Sequence, residues 1–201
     1  MNDETSVRQA VEARRSIRKY TEEDIPVEVV REVVRQASLA PSAMNIQPWR
    51  VVAVRSTELR RRLRSAAHDQ AQVEGAPVVL VVMMDEEGAM AAVADTVHPE
   101  FGEKAGAKAQ SVHANYEGME AAARRATFMN HTFLFVAFLV LAAQGAGYST
   151  SVMGGFEPEK VKEVLGLPPS VGVAVLVAMG RGAEEGRPHH RHPVERILTE
   201  R

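Results

Sequence analysis

Val78-Val79-Leu80-Val81-Val82-Met83-Met84 is an unbroken apolar run, set off by Gly75 and Pro77. A strand with water on one face alternates apolar and polar residues, so a continuous run predicts a strand buried on both faces. Val51 to Val54 reads as a second strand ahead of it, and Gly172 to Met179, ended by Gly180, as a third behind it. Helical signals fill the intervals. Ser6 to Arg14 is a first short helix, and Ser16 to Tyr20 is loop or short strand. Pro26 marks a helix start, followed by Val30, Val33, Val34 and Ala37 at helical spacing with Glu28, Arg31, Glu32 and Arg35 outward. Ser56 caps a helix that has Glu58 in its first turn and carries Arg60, Arg61, Arg62 and Arg64. Phe128 to Ala143 is apolar nearly all round, which places it in mid-core or in a subunit interface; Gly145 and Gly147 stop it. Glu157-Pro158 opens another helix, with Val161, Val164 and Leu165 on one face and Gly166 past its end. Strands thus alternate with helices, and helices dominate a mixed α/β chain.

Asp85 to Gly118 is less regular, being rich in Ala, Gly, Glu and His. It fits a mobile helical excursion over a site, or surface helices with no catalytic role.

A chain of 201 residues is expected to form one domain, residues 1–201, with residues 85–118 as a variable or lid-like excursion. Apolar residues are 45% and charged residues 25%, an ordinary globular balance that excludes a disordered chain. With no cysteine there is no disulfide scaffold, thiolate zinc site, thiol nucleophile or cysteine-held iron–sulfur cluster, and a reducing, cytoplasmic setting is expected. The net charge of −2 argues against a nucleic-acid partner. Met1 to Glu12 is polar and carries no secretory pattern. The longest apolar stretch, Thr132 to Ala146, contains Gln144 and Gly145 and falls short of the roughly 20 residues of a membrane span, so no membrane partner is expected.

Four segments carry chemistry. In Arg14-Arg15-Ser16-Ile17-Arg18, three guanidinium groups crowd around a hydroxyl. Such charges repel unless an anion sits among them, which suits a phosphate or anionic ring; a solvated turn paired with Glu12 or Glu22 is the other reading. In Ala40-Pro41-Ser42-Ala43-Met44-Asn45-Ile46-Gln47-Pro48-Trp49, two prolines fix the chain, and Asn45 and Gln47 each offer donors and acceptors. That equipment suits the edge of a planar heterocycle, or an ordered loop whose amides satisfy its own backbone. Trp49 reads as core. In Tyr148-Ser149-Thr150-Ser151-Val152-Met153-Gly154-Gly155-Phe156, the glycine pair allows close approach and positive φ ahead of a helix N-terminus, or is a plain turn. Finally, Arg181 and Arg187-Pro188-His189-His190-Arg191-His192-Pro193 can reach an anion but make a poor metal site, because adjacent histidines diverge in an extended chain.

Nothing matches a phosphate-binding P-loop, a dinucleotide fingerprint after a strand, a zincin helix or a nucleophile elbow. The residues supply grips for an anionic planar ligand and no nucleophile–base pair. That pattern fits an enzyme whose reactive centre is a cofactor.

These four segments, in this order, resemble the nitroreductase family of flavin enzymes: Arg14 to Arg18, Ala40 to Trp49, Gly154-Gly155-Phe156 after the apolar helix, and Arg191-His192-Pro193 near the end. The likeness spans nearly the whole chain. It implies an α+β fold, a mixed sheet flanked by helices in an interlocked homodimer, with FMN in clefts at the subunit interface. It further implies that the C-terminal segment reaches onto the partner, burying Ile197 and Leu198, and that the helix at Phe128 to Ala143 forms the dimer core. By position, Arg14 and Arg18 would hold the FMN phosphate or the polar edge of the flavin, and Arg15 and Ser16 would contact the same ligand, partly through backbone. Pro41, Ser42, Ala43, Asn45 and Gln47 would come from the second segment, Asn45 facing the pyrimidine edge. Met153, Gly154 and Gly155 would line the ring, the Gly155 N–H near flavin N5. Arg191 would take the phosphate, helped by His189. Some members of the family carry Glu where Gly154 stands here.

The implied activity is reduction of nitro compounds, quinones or related small acceptors by NAD(P)H in ping-pong fashion. No protein side chain is implied as catalytic, and no metal. The same fold also admits reductive dehalogenation, flavin fragmentation or plain flavin storage.

Overall fold

A computed structural model describes residues 6–201; the start of the polar Met1–Glu12 stretch, residues 1–5, lies outside the described residues. The elements run α1 (Val7–Ala13), α2 (Val27–Ala37), β1 (Trp49–Val54), α3 (Thr57–Ala66), α4 (Ala71–Gly75), β2 (Val78–Met84), α5 (Glu86–Ala91), α6 (Val93–Thr96), α7 (Ala105–Glu117), α8 (Ala121–Gly145), β3 (Ser149–Met153), α9 (Pro158–Leu165) and β4 (Gly172–Gly180). Caps follow from composition. The Ser6 hydroxyl accepts from Gln9 N while Gln9 returns a bond to Ser6 N, and the Ser56 hydroxyl accepts from Leu59 N. Gly166, with φ of 62°, ends α9 in the left-handed conformation that a Cβ disfavours.

The sheet has the order β1-β2-β4-β3, and all three pairings are antiparallel. Among the described residues its one parallel contact is the bridge between Ser16 and Thr150, which adds the segment after α1 to the β3 edge. Every residue of β2 is buried, as its continuous apolar run requires. Strand alternation then feeds two cores. Val78, Leu80 and Val82 face α2 and α8, together with Trp49, Phe135 and Leu139. Val79, Val81 and Met83 face the other layer, with Leu63 of α3, Val73 of α4 and Val161 of α9. Trp49 stacks on Phe135 with ring centroids 5.4 Å apart, so the tryptophan is core, as its sequence context indicates. The last β2 residue, Met84, joins a third cluster with Ile46, Val112, Tyr116 and Phe128, and this cluster anchors the 85–118 excursion to the body.

Two details depart from the sequence reading, while residues 85–118 are helical as read, with three helices and a 3-10 turn at Pro99–Lys104. β3 is a strand although Ser149-Thr150-Ser151 shows no apolar alternation; β4 pairs with it and buries Thr150 and Ser151. The apolar helix is also longer than its apolar stretch. At 25 residues, with a mean hydropathy of 1.8 over 18 of them, α8 passes the length and composition of a membrane span, yet one side of it packs on α2 and the sheet. The opposite side leaves Phe133, Leu134 and Phe138 exposed.

Candidate functional site

Helix α1 ends at Arg14, whose N–H still donates to Ala10 O while its φ and ψ of −56° and 127° turn the chain extended. The extended segment is stitched to the β3 edge, Ile17 N donating to Thr150 O at 3.1 Å, and buries Ile17. The C-terminal segment returns along its other side. Ala183 N donates to Lys19 O, Thr21 N donates to Arg181 O, and the Glu184 carboxylate accepts from the backbone N–H groups of Arg18 (2.7 Å) and Lys19 (3.2 Å). Gly186 is required there, because a Cβ on it would lie 2.3 Å from Arg15 Cβ.

This strap brings Arg187, Pro188, His189 and Arg191 against Arg14, Arg15, Ser16 and Arg18 around a hollow of about 190 Å3. Among the described residues five guanidinium groups line it and no carboxylate does. Among the described residues none of the five makes an ion pair, whereas Arg8, Arg35, Arg50, Arg55, Arg61, Arg64, Arg124 and Arg181 all do. Arg15 is held in place by Glu12 O at 2.6 Å, Arg14 O at 2.9 Å and the His189 ring nitrogen. Burial, followed by the charges of Arg191 and Arg15, lowers the pKa of Arg14. A positive charge in that position is short of counter-charge, and a bound anion would supply it.

A second hollow of about 510 Å3 shares Arg14, His189 and Arg191, and continues between Val11, Glu12 and the Ala137, Val140 and Leu141 side of α8. The pair offers a cationic pocket running into an apolar one. That donor set suits a ring carrying a phosphate, and in this sense the residues fit FMN.

The second sequence segment lies elsewhere. Ala43–Asn45 is a 3-10 turn in which Met44 and Asn45 have positive φ, and Gln47 follows with φ of 46°. Non-glycine residues in that conformation store strain that surrounding contacts must hold. Here Tyr116 Oη donates to Ala43 O at 2.9 Å, Gln47 N donates to the Ser42 hydroxyl at 3.1 Å, and Asn45 Nδ2 donates to Thr96 O at 2.8 Å. Pro41, Ser42 and Ala43 lead into this turn. Asn45 lines a separate hollow of about 490 Å3 with residues of the 85–118 excursion, so a single protomer does not place it in the arginine pocket.

In the third segment, Met153 is buried in the core behind the sheet, which leaves only its backbone for a ligand. Gly154 and Gly155 are exposed, and neither takes the positive φ their freedom permits. Gly155 is instead fastened by its carbonyl, which accepts from Gln70 Nε2 at 2.7 Å. Glu157 N donates to Ala66 O, tying the same loop to the end of α3. Between them His68 and Asp69 turn the chain with φ of 52° and 54°. Sequence reasoning passed over this turn; its one signal was His-Asp at a helix end, residue types enriched in left-handed backbone. It also grouped Arg181 with the anion grips, but Arg181 is spent on Glu23 at 2.9 Å and on the Tyr148 ring. Arg187, quoted in the same segment, does line the pocket.

A family model described as "Nitroreductase family" matches residues 11–181. A Thermus thermophilus protein named NADH dehydrogenase is 42% identical over 186 residues, covering 92% of this chain and 91% of that protein. YdgI of Bacillus subtilis, assigned as an NAD(P)H nitroreductase, is 32% identical over 197 residues and 93% of each chain. Among solved structures, a protein of Exiguobacterium sibiricum assigned as a nitroreductase and solved in complex with FMN superposes with a TM-score of 0.91 at 29% identity, covering 98% of both chains.

Proposed function

Since the chain belongs to the nitroreductase family, we propose that it is an FMN-dependent oxidoreductase that takes hydride from NAD(P)H and reduces nitro compounds, quinones or related small acceptors in ping-pong fashion. The observation that carries this reading is the carboxylate-free pocket of five arginines opening onto an apolar hollow. When bound there, FMN would supply the two-electron chemistry that no side chain of this chain offers.

The residues divide the work. Arg14, Arg18, Arg187 and Arg191 hold the phosphate or the polar edge of the ring, and the His189 ring nitrogen meets Arg15 so that Arg15 keeps its place. Ser16 contributes its backbone and hydroxyl. The positive field of the cluster favours negative charge building up on a ligand beside it. The Gly155 backbone lies beside the site, its carbonyl held by Gln70 Nε2. Pro41, Ser42, Ala43, Asn45 and Gln47 complete the site from a second copy of the chain, because one protomer places Asn45 and Arg14 in separate hollows. A homodimer also accounts for the exposed Phe133, Leu134 and Phe138 on α8 and for the exposed Ile197 and Leu198 in the tail. A cytoplasmic setting goes with this reading.

The test is an anaerobic visible spectrum of the purified protein, before and after NAD(P)H, followed by a panel of nitro, quinone and enone acceptors. Flavin absorbance that bleaches with NAD(P)H and returns with acceptor is expected. A protein that stays colourless after added FMN, or binds it without bleaching, overturns the proposal.

A further inference from the structure

Asn45 also lines a hollow apart from the arginine pocket of its own protomer. Met44 and Asn45 form one wall; Thr96, Val97, His98, Phe101, Lys108 and Val112 form the other, around about 490 Å3. That is room for a compound of one or two rings. The wall is mostly apolar, and its single lysine is conspicuous. Lys108 is half-buried on α7, with its Nζ 5.9 Å from the centre of the Phe101 ring. Among the described residues it makes no ion pair, and no carboxylate lines the hollow. Beside it, His98 Nδ1 accepts from Glu100 N at 3.2 Å. Asn45 has spent its Nδ2 on Thr96 O, leaving its oxygen as an acceptor. An aromatic face, a thioether and one ammonium without a carboxylate partner together match a flat ring bearing an anionic oxygen.

We propose that this hollow is the acceptor subsite and that Lys108 makes it select aromatic acceptors carrying an anionic substituent. The proposal rests on the flavin-oxidoreductase reading above and goes beyond it in naming the substrate class. The ring lies against Phe101 and Met44, and the anionic oxygen meets Lys108. An uncharged analogue keeps the apolar contacts and loses the ionic one.

The experiment compares 4-nitrobenzoate with its methyl ester, which share a ring and differ in charge. Wild type, Lys108→Met and Lys108→Arg holoenzymes are titrated calorimetrically with each compound in the absence of NAD(P)H, and kcat/KM is measured for each with NADH and with NADPH. Lys108→Met is expected to weaken nitrobenzoate binding and lower its kcat/KM roughly tenfold, the scale of one charge-assisted hydrogen bond. The ester should lose much less than nitrobenzoate, and Lys108→Arg should restore most of the preference. Equal losses for both compounds, no change for either, or an effect confined to the KM for NADPH overturns the proposal. The calorimetric comparison decides without turnover. A protein that binds nitrobenzoate through Lys108 but never bleaches with NAD(P)H would therefore sink the oxidoreductase reading and leave the charge selection standing.

Discussion

Gln70 Nε2 donates to the carbonyl oxygen of Gly155 at 2.7 Å, joining two loops 85 positions apart in sequence. The same nitrogen also donates to Ala67 O, and Gln70 Oε1 accepts from Gln72 Nε2 at 3.1 Å, so the side chain is locked at both ends. Two consecutive left-handed residues, His68 and Asp69, bring it there. Strain of that kind persists where contacts over-determine it. Gln70→Ala is expected to lower the unfolding free energy by about 0.5–1.5 kcal/mol, the net worth of an ordinary hydrogen bond. FMN affinity should fall as well, because the Gly155 backbone loses its brace. A urea midpoint and a flavin titration both equal to wild type would refute the brace.

The arginine pocket separates binding from structural guanidinium groups. Arg191→Ala and Arg18→Ala each remove a charged donor from the hollow and are expected to weaken FMN by about 1.5–3 kcal/mol. Arg181→Ala removes an equally charged residue whose partner is Glu23, and should leave flavin affinity unchanged. Fluorescence titration of apoprotein with FMN distinguishes them; equal losses in all three variants would mean that only net charge matters.

What the sequence reveals here depends on how local the cause is. Val78 to Met84 is buried on both faces because every residue in it is apolar, and that is readable from the letters alone. Ser56, Gly166 and the helix at Pro158 are equally local. The arginines at 14, 15 and 18 are legible as an anion grip because like charges so close in sequence call for a counter-charge, and Arg191 joins them through the family resemblance. Their meeting with Arg187 is not legible, since it depends on the strap that Glu184 and Gly186 hold against residues 15–19. β3 was missed because Ser149, Thr150 and Ser151 carry no apolar alternation, and β4 alone recruits them. The helices of residues 85–118 were faint because α7 is built of small residues, with few apolar side chains buried along it. Glycine marks positive φ at Gly147 and Gly166 but misleads at the Gly154-Gly155 pair. Met44, Asn45, Gln47, His68 and Asp69 take the positive φ, while Gly154 and Gly155 do not.

Helix α8 presents two apolar faces with different duties. Phe135 is fully buried against Trp49, and Phe135→Ala should cost about 3–5 kcal/mol in unfolding experiments on the monomer fold. Phe138 is 41% exposed, so Phe138→Glu should barely perturb the protomer. It places a charge in the proposed subunit interface, and sedimentation velocity should show a dimer converted to monomer. A Phe138→Glu protein that sediments like wild type would remove this face from the interface.

The Glu184 contact predicts a pH dependence of the strap. The hydrogen bond from Arg18 N holds the Glu184 carboxyl below its usual value of 4.5; desolvation opposes it, and the bond from Lys19 N and the charges of Lys19 and Arg18 add to the lowering. In the window between the lowered native pKa and 4.5, the unfolded chain binds the proton that the native chain refuses, so stability rises with pH there. The contribution is complete above about pH 4.5 and disappears as pH falls through the native value. Glu184→Gln keeps an acceptor oxygen and removes the charge, so it should resemble the protonated wild type. Melting temperatures measured from pH 3 to pH 7 should show wild type above the variant at neutral pH, with the two curves converging in acid. A gap that stays constant across the range would show that the carboxylate is not what clasps the strap to Arg18.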